Sequence, residues 1–341
     1  MSIQQMFLGA GGESGTPVEE VFDIKLYLGN DSTNTINNGM NLDVQNGSPG
    51  GMVLHKIRDY DGGHFVVYDT TRGPSVDVHF NLINPSDDRS GGGTANYGLT
   101  SFNTNGFTHG ANWMWENGNG YNHVAWTFMK SEKFFDIVTW SGDVYTDQTL
   151  DHNLGCEPGM IIAKNLTDSA AWKIYHNAIT DAEYRILETN SREPATPAAW
   201  ALGISYWSPT STDFKAAASI GLNTNNKDYI AYLFAADESN IKCGKYTGSG
   251  SSGNSVTVGF KPQFLLIKRA VGGTGDWIFL DTTRGINSSG NDAVLECPTV
   301  GDEDSSGDYV SLTNNGFDVE TTSEDYNKSG DVYIYMAIKE E

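Results

Sequence analysis

The five residues DTTRG occur twice in this chain, at Asp69–Gly73 and again at Asp281–Gly285. The copies lie 212 positions apart, twice 106, which places a middle copy near position 175. That slot holds WKIYHNAIT, Trp172–Thr180, where the alternation of HFVVYDTTRG (from His64) and DWIFLDTTRG (from Asp276) survives while the DTTRG letters are gone. Alternation of period two belongs to strands, whose successive side chains point to opposite faces. The unit that repeats is therefore a β unit.

Other landmarks keep the same step. PGGMVLHK from Pro49, PGMIIAK from Pro158 and KPQFLLIK from Lys261 each set a Pro turn before an apolar run that ends in Lys56, Lys164 or Lys268. SFNTNGFTHG, STDFKAA and LTNNGFDVE place Phe107, Phe214 and Phe317 after a polar turn. Each copy opens on a strand (FDIKLYLGN, FFDIVTWSGD, IKCGKYTGSG) and closes on another (YNHVAWTF, KDYIAYLF, DVYIYMAI). A unit of about 105 residues is the size of one β-sandwich.

The expected fold is all-β: three tandem antiparallel β-sandwich modules, jelly-roll or lectin-like, behind an N-terminal attachment segment. The segment takes residues 1–20 and the modules 21–131, 132–237 and 238–341. If each module holds its own core, the chain is a rigid rod. The stretches after DTTRG, 74–99, 181–207 and 286–309, vary most among copies and are expected as surface loops, where recognition usually resides.

Within DTTRG, Asp and Gly flank a tight turn, and Arg72 or Arg284 can fork onto the carboxylate of Asp69 or Asp281. A turn pinned by these ion pairs is favoured over a catalytic Asp/Arg pair.

Lys and Arg total 21 against 43 Asp and Glu, a formal net charge of -22. Such a surface repels nucleic acid and anionic headgroups. No stretch approaches the roughly 20 apolar residues of a membrane helix, so membrane insertion is not expected. The start MSIQQMFLGAGG lacks the basic region of a signal peptide, so export by lysis is expected. Cys156, Cys243 and Cys297 are odd in number and widely spaced, which reads as reduced thiols.

No GxSxG, HExxH or P-loop occurs, and no cofactor, metal or catalytic residue is nominated. His109 and His123 flank the aromatic tip NWMWENGNGYN and could approach each other, although loop or core-edge roles are favoured. The acidic run GDEDSSGD, Gly301–Asp308, lacks the glycine and glutamate placement of an EF-hand and reads as a solvated loop. The tip itself offers Trp113, Trp115 and Tyr121 with Asn117 and Asn119, flat faces plus amides suited to a sugar or to a neighbouring subunit. The alternative is that Trp113 and Trp115, two apart, share one strand face and pack inside.

MVLHKIRD, FVVYDTTRG, LTSFNTNGFTHG and YNHVAWTFMK in the first module, PGMIIAKN and DYIAYLFAADES in the second, and IKCGKYTGSGS, FLLIKRA and DWIFLDTTRG in the third resemble the tandem lectin-like modules of marine bacteriophage tail and fibre proteins. The resemblance covers about residues 21–339. It implies a concanavalin-like or laminin-G-like sandwich, a virion location after synthesis in the host cytoplasm, and no enzymatic activity. It also implies a tail fibre or adhesin that contacts a host glycan or envelope protein. An architectural role, such as head decoration, head fibre or tail adaptor, is the alternative, and a glycan-degrading enzyme a lesser one. Ile3, Met6, Phe7 and Leu8 would attach the chain to tail or capsid proteins, and homo-oligomers, a trimer among them, are expected.

Overall fold

The computed structural model describes residues 16–90, 97–111, 114–143, 146–179, 185–189, 191–193, 196–197, 206–286 and 290–341. Ile3, Met6, Phe7, Leu8 and Trp113 lie outside the described residues. The described chain is built of antiparallel sheets, with helices of only three or four residues. The all-β, sandwich-like architecture is therefore observed.

Strands are distributed over large and small sheets in chain order. One large sheet orders Phe22–Leu28, Asn122–Met129, Gly51–Ile57, Val66–Asp69 and Val76–His79. A second orders Phe135–Ser141, Asp228–Ala235, Pro158–Asn165 and Lys173–His176. A third orders Ile241–Thr247, Val332–Lys339, Pro262–Val271, Trp277–Asp281 and Leu295–Cys297. Each closing strand inserts between its opening strand and the apolar run, as Trp126 does between Ile24 and Leu54. A small sheet covers each large one; in the first repeat it joins Asn34–Ile36, Gly106–His109 and Leu99–Asn103.

The strand Gly51–Ile57 is buried along its whole length, which requires cover on both faces. Val53 and His55 turn toward the small sheet, where His55 meets Phe107 edge-on at 5.2 Å. Met52 and Leu54 turn the other way, into a dry cavity shared with Ile162 and Phe234 of the second repeat and Leu266 and Met336 of the third. One apolar cluster runs through all three repeats. A second cluster lies between the large and small sheets of the third repeat.

A rod of separately cored units is therefore not what forms. The large sheets present their inner faces to one another, and the contacts close in cyclic order. Lys56 Nζ donates to the Gly301 carbonyl of the third repeat, Lys164 to Ile83 of the first and Lys268 to Arg192 of the second, at 3.0 to 3.1 Å. The same rotation relates two indoles: Trp172 Nε1 donates to the His79 carbonyl and Trp277 Nε1 to the Glu188 carbonyl. The stretches expected as recognition loops supply Ile83, Glu188, Arg192 and Gly301, so part of each is seam rather than free surface.

Candidate functional site

The DTTRG turns are joints as well as turns. Asp69 Oδ1 accepts from the backbone N–H of Thr71 and Arg72, and Oδ2 meets Arg72 Nε at 2.5 Å. Asp281 and Arg284 repeat the pair at 2.5 Å, fully buried. Each carboxylate then takes a donor from the next repeat, Tyr232 on Asp69 at 2.8 Å and Trp126 on Asp281 at 2.9 Å. In the middle repeat the slot of Asp is His176, and the residue that would donate to it is Met336. His176 Nε2 instead lies 3.1 Å from the carbonyl of Tyr335. Both sides of that joint changed together, so the loss of DTTRG from the middle repeat has a partner across the seam.

The acidic run also serves a seam. Glu303 bonds Arg58 of the first repeat at 2.5 Å and Arg284 at 3.2 Å, and Gly301 caps Lys56. A purely solvated loop is thus corrected for these residues.

The aromatic tip does not form one patch. Asn117 is 1% exposed, and its side chain is spent on the backbone: Nδ2 donates to Ser32 and Gly110 carbonyls, while Oδ1 accepts from Asn30 N and Asn34 Nδ2. Asn327 makes the matching four bonds to Ser251, Thr321, Ser249 and Asn254. Asn223 bonds Asp143 and Thr146. Asn117 is therefore a loop clamp, and a ligand-binding role for it is withdrawn. Asn119 stays exposed in its turn. Tyr121 leans edge-on against Tyr60 at 5.5 Å, while Trp115 is half-buried against His64 at 4.6 Å and His79 at 5.3 Å.

Trp115 thereby backs a polar cleft, a space of about 230 Å³ lined by Asp77, His79, Asn84, Pro85, Ser86, Asp87 and Arg89. Arg89 Nε donates to buried Asp77 at 2.7 Å and Nη2 reaches the exposed Asp87 at 3.2 Å. His79 stacks on His64 at 4.9 Å, and burial pushes it down to about 3, so it stays neutral. A wider groove of about 450 Å³ runs along Leu42, Val44, Thr70, Pro74 and Phe102 beside the first DTTRG turn.

Behind the cleft, between the sheets of the first repeat, lies a second group, of which the sequence pointed to His109 and His123 but not to His55 and Glu116. His55, His109, His123 and Glu116 are all completely buried. His109 and His123 do not meet as a pair: the ring of Tyr27 stacks with both, at 5.7 and 5.1 Å. The Tyr27 hydroxyl donates to the Glu116 carbonyl at 2.7 Å and lies 3.3 Å from His55 Nδ1 and 3.2 Å from His109 Nε2. Tyr68 donates to Glu116 Oε1 at 2.9 Å. With Tyr27 between them His109 and His123 cannot converge on one ion, and among the described residues no group of three or more His, Cys, Asp or Glu could hold a metal. None of the three cysteines is in a disulfide; Cys243 and Cys297 are buried, and burial lifts Cys156 to about 11.

Fold and site together define an all-β protein of antiparallel sandwiches that carries its polar cleft on the first repeat. Residues 18–341 match the family described as a domain of unknown function (DUF7483), and the chain belongs to that family. No curated protein matches it.

Proposed function

We propose that this chain is a non-enzymatic structural protein of a bacteriophage virion, a tail fibre or adhesin that contacts a glycan or envelope protein on the host surface. Its N-terminal residues, Ile3, Met6, Phe7 and Leu8 among them, attach it to tail or capsid proteins, and self-association into homo-oligomers belongs to the same proposal. The observation that supports it most is the open cleft of the first repeat. Asn84 and Asp87 stand exposed at its rim over buried Arg89 and Asp77, with Pro85 and the His79 ring as apolar walls. Polar groups converging beside flat apolar surface suit a polyhydroxylated ligand.

A glycosidase would need two carboxylates facing each other across a sugar. Asp77 and Asp87 instead share Arg89, which sets a cation between them. The architectural alternative, such as head decoration, head fibre or tail adaptor, draws support from the cyclic closure of the body, which suits a threefold position in a particle.

Binding of the purified chain to host cells and to their isolated surface glycans tests the proposal, with Asn84→Ala/Asp87→Ala as the comparison. Loss of binding in the variant is expected. Binding that ignores the variant moves the contact elsewhere. No binding at all, with the chain located between capsomers in the imaged particle, decides for architecture.

A further inference from the structure

The three repeats serve as controls for one another. At the positions of His55, His109, His123 and Glu116, the second repeat has Ala163, Ala216, Tyr229 and Leu222, and the third has Ile267, Val319, Tyr333 and Tyr326. The same sandwich interior is thus filled by apolar and aromatic side chains twice and by four ionisable groups once. Nothing in the strand geometry demands those groups, since the sister sheets form without them.

The arrangement leaves little room for an added proton. The single proton of the Tyr27 hydroxyl goes to the Glu116 carbonyl, so the imidazole nitrogens facing it must donate. His55 Nε2 and His109 Nδ1 are then bare lone pairs, buried with no hydrogen bond, and Glu116 Oε2 is buried without a partner as well. His55 and His109 stand 4.7 Å apart, and two like charges at that distance in a dry interior repel strongly. We propose that this cluster makes the first repeat an acid-sensitive latch: proton uptake on its histidines parts the small sheet from the large one there, while the other two repeats stay closed.

The groups facing the cluster are its own members, Tyr27 and Tyr68, Asp59 and Lys56 toward His123, and Asp77 and Arg89 toward Glu116. Burial, then neighbouring histidine charge, holds His55 far below its ordinary value. The same two causes bring His109 to about 3, against weak opposition from the Gly98 backbone. Burial first brings His123 to about 4. A histidine depressed in the closed state favours closure above pH 6.5 and loses that contribution as pH falls. Glu116 has the opposite sign, because burial lifts it well above the carboxylate range and opening lets it ionise. Three protons taken up less one released leave about two, so the opening constant rises about a hundred-fold per pH unit between roughly pH 6 and 4.5.

Hydrogen exchange on the full chain at pH 7.5, 6, 5 and 4.5, expressed as protection factors, tests this. Protection across 99–109 should fall with that slope, while the matching stretch 310–319 holds. His55→Ile/His109→Val/His123→Tyr, which installs residues of the third repeat and leaves only the Glu116 proton to be released, should reverse the slope, so that protection rises about ten-fold per unit as pH falls. Should that variant not fold, His109→Val alone reduces the slope to about ten-fold per unit, and Glu116→Gln raises it to about a thousand-fold. Protection that is flat in the wild type, that falls equally in 310–319, or whose slope ignores these substitutions overturns the proposal.

Discussion

The Tyr232 hydroxyl donates to Asp69 Oδ2 at 2.8 Å, from the closing strand of the second repeat to the DTTRG turn of the first. Asp69 also holds Arg72, so one buried carboxylate fixes a turn and a seam together. Tyr232→Phe removes that bond and the longer one that Arg72 Nη2 donates to the same hydroxyl at 3.2 Å, leaving the Asp69–Arg72 pair in place. A hydrogen bond to a charged group contributes about 1.5 to 3 kcal/mol, and urea unfolding should register a loss of that size. Trp126→Phe tests the equivalent bond to Asp281 and should cost more, because the smaller ring also leaves a gap in the shared core.

The remaining seam can be rebuilt by the same rule. His176→Asp alone buries a carboxylate with no arginine three residues on, where Ile179 stands, and should cost about 3 to 5 kcal/mol. Adding Ile179→Arg and Met336→Tyr restores the pair and its donor. Chemical denaturation of the triple variant should recover most of the loss; if the triple is no better than the single, the seams are not equivalent.

Lys56, Lys164 and Lys268 are buried, and desolvation lowers each to about 8. A base depressed in the folded state adds stability as pH rises from the folded value toward the unfolded one near 10.5. Between pH 8 and 9.5 each lysine should add about 2 kcal/mol. The stability of Lys164→Met should therefore climb less steeply than wild type by that amount over the same window. Parallel curves would show that Lys164 is not desolvated as described.

Asn327 satisfies two carbonyls, a backbone N–H and an amide with one side chain. Asn327→Ala strands them at a cost of about 2 to 4 kcal/mol. Faster hydrogen exchange should appear around 249–254 and 321–327, with the matching loops at Asn117 and Asn223 unaffected.

The repeat and the strand content were legible because both are local: alternation in HFVVYD and DWIFLD, the apolar run in GMVLHKI and a recurring Lys and Phe show in the letters. Seams were not legible, since Lys56 and Gly301 stand 245 positions apart and a carbonyl acceptor leaves no mark on residue type. Asn117, Asn223 and Asn327 did carry a signal, the same letter at steps of 106 and 104. Reading Asn117 as a surface amide overlooked it, because clamping and ligand binding use the same amide chemistry. For His109 and His123 the spacing suggested a pair, but only the pleat of Phe22–Leu28 reveals that Tyr27 comes between them.

Small-angle scattering of the purified chain tests the closed three-repeat body most directly. A body closed around one core predicts a radius of gyration of about 20 Å for this length. Three separately cored units in line would give about 30 Å, and that value would contradict the closure.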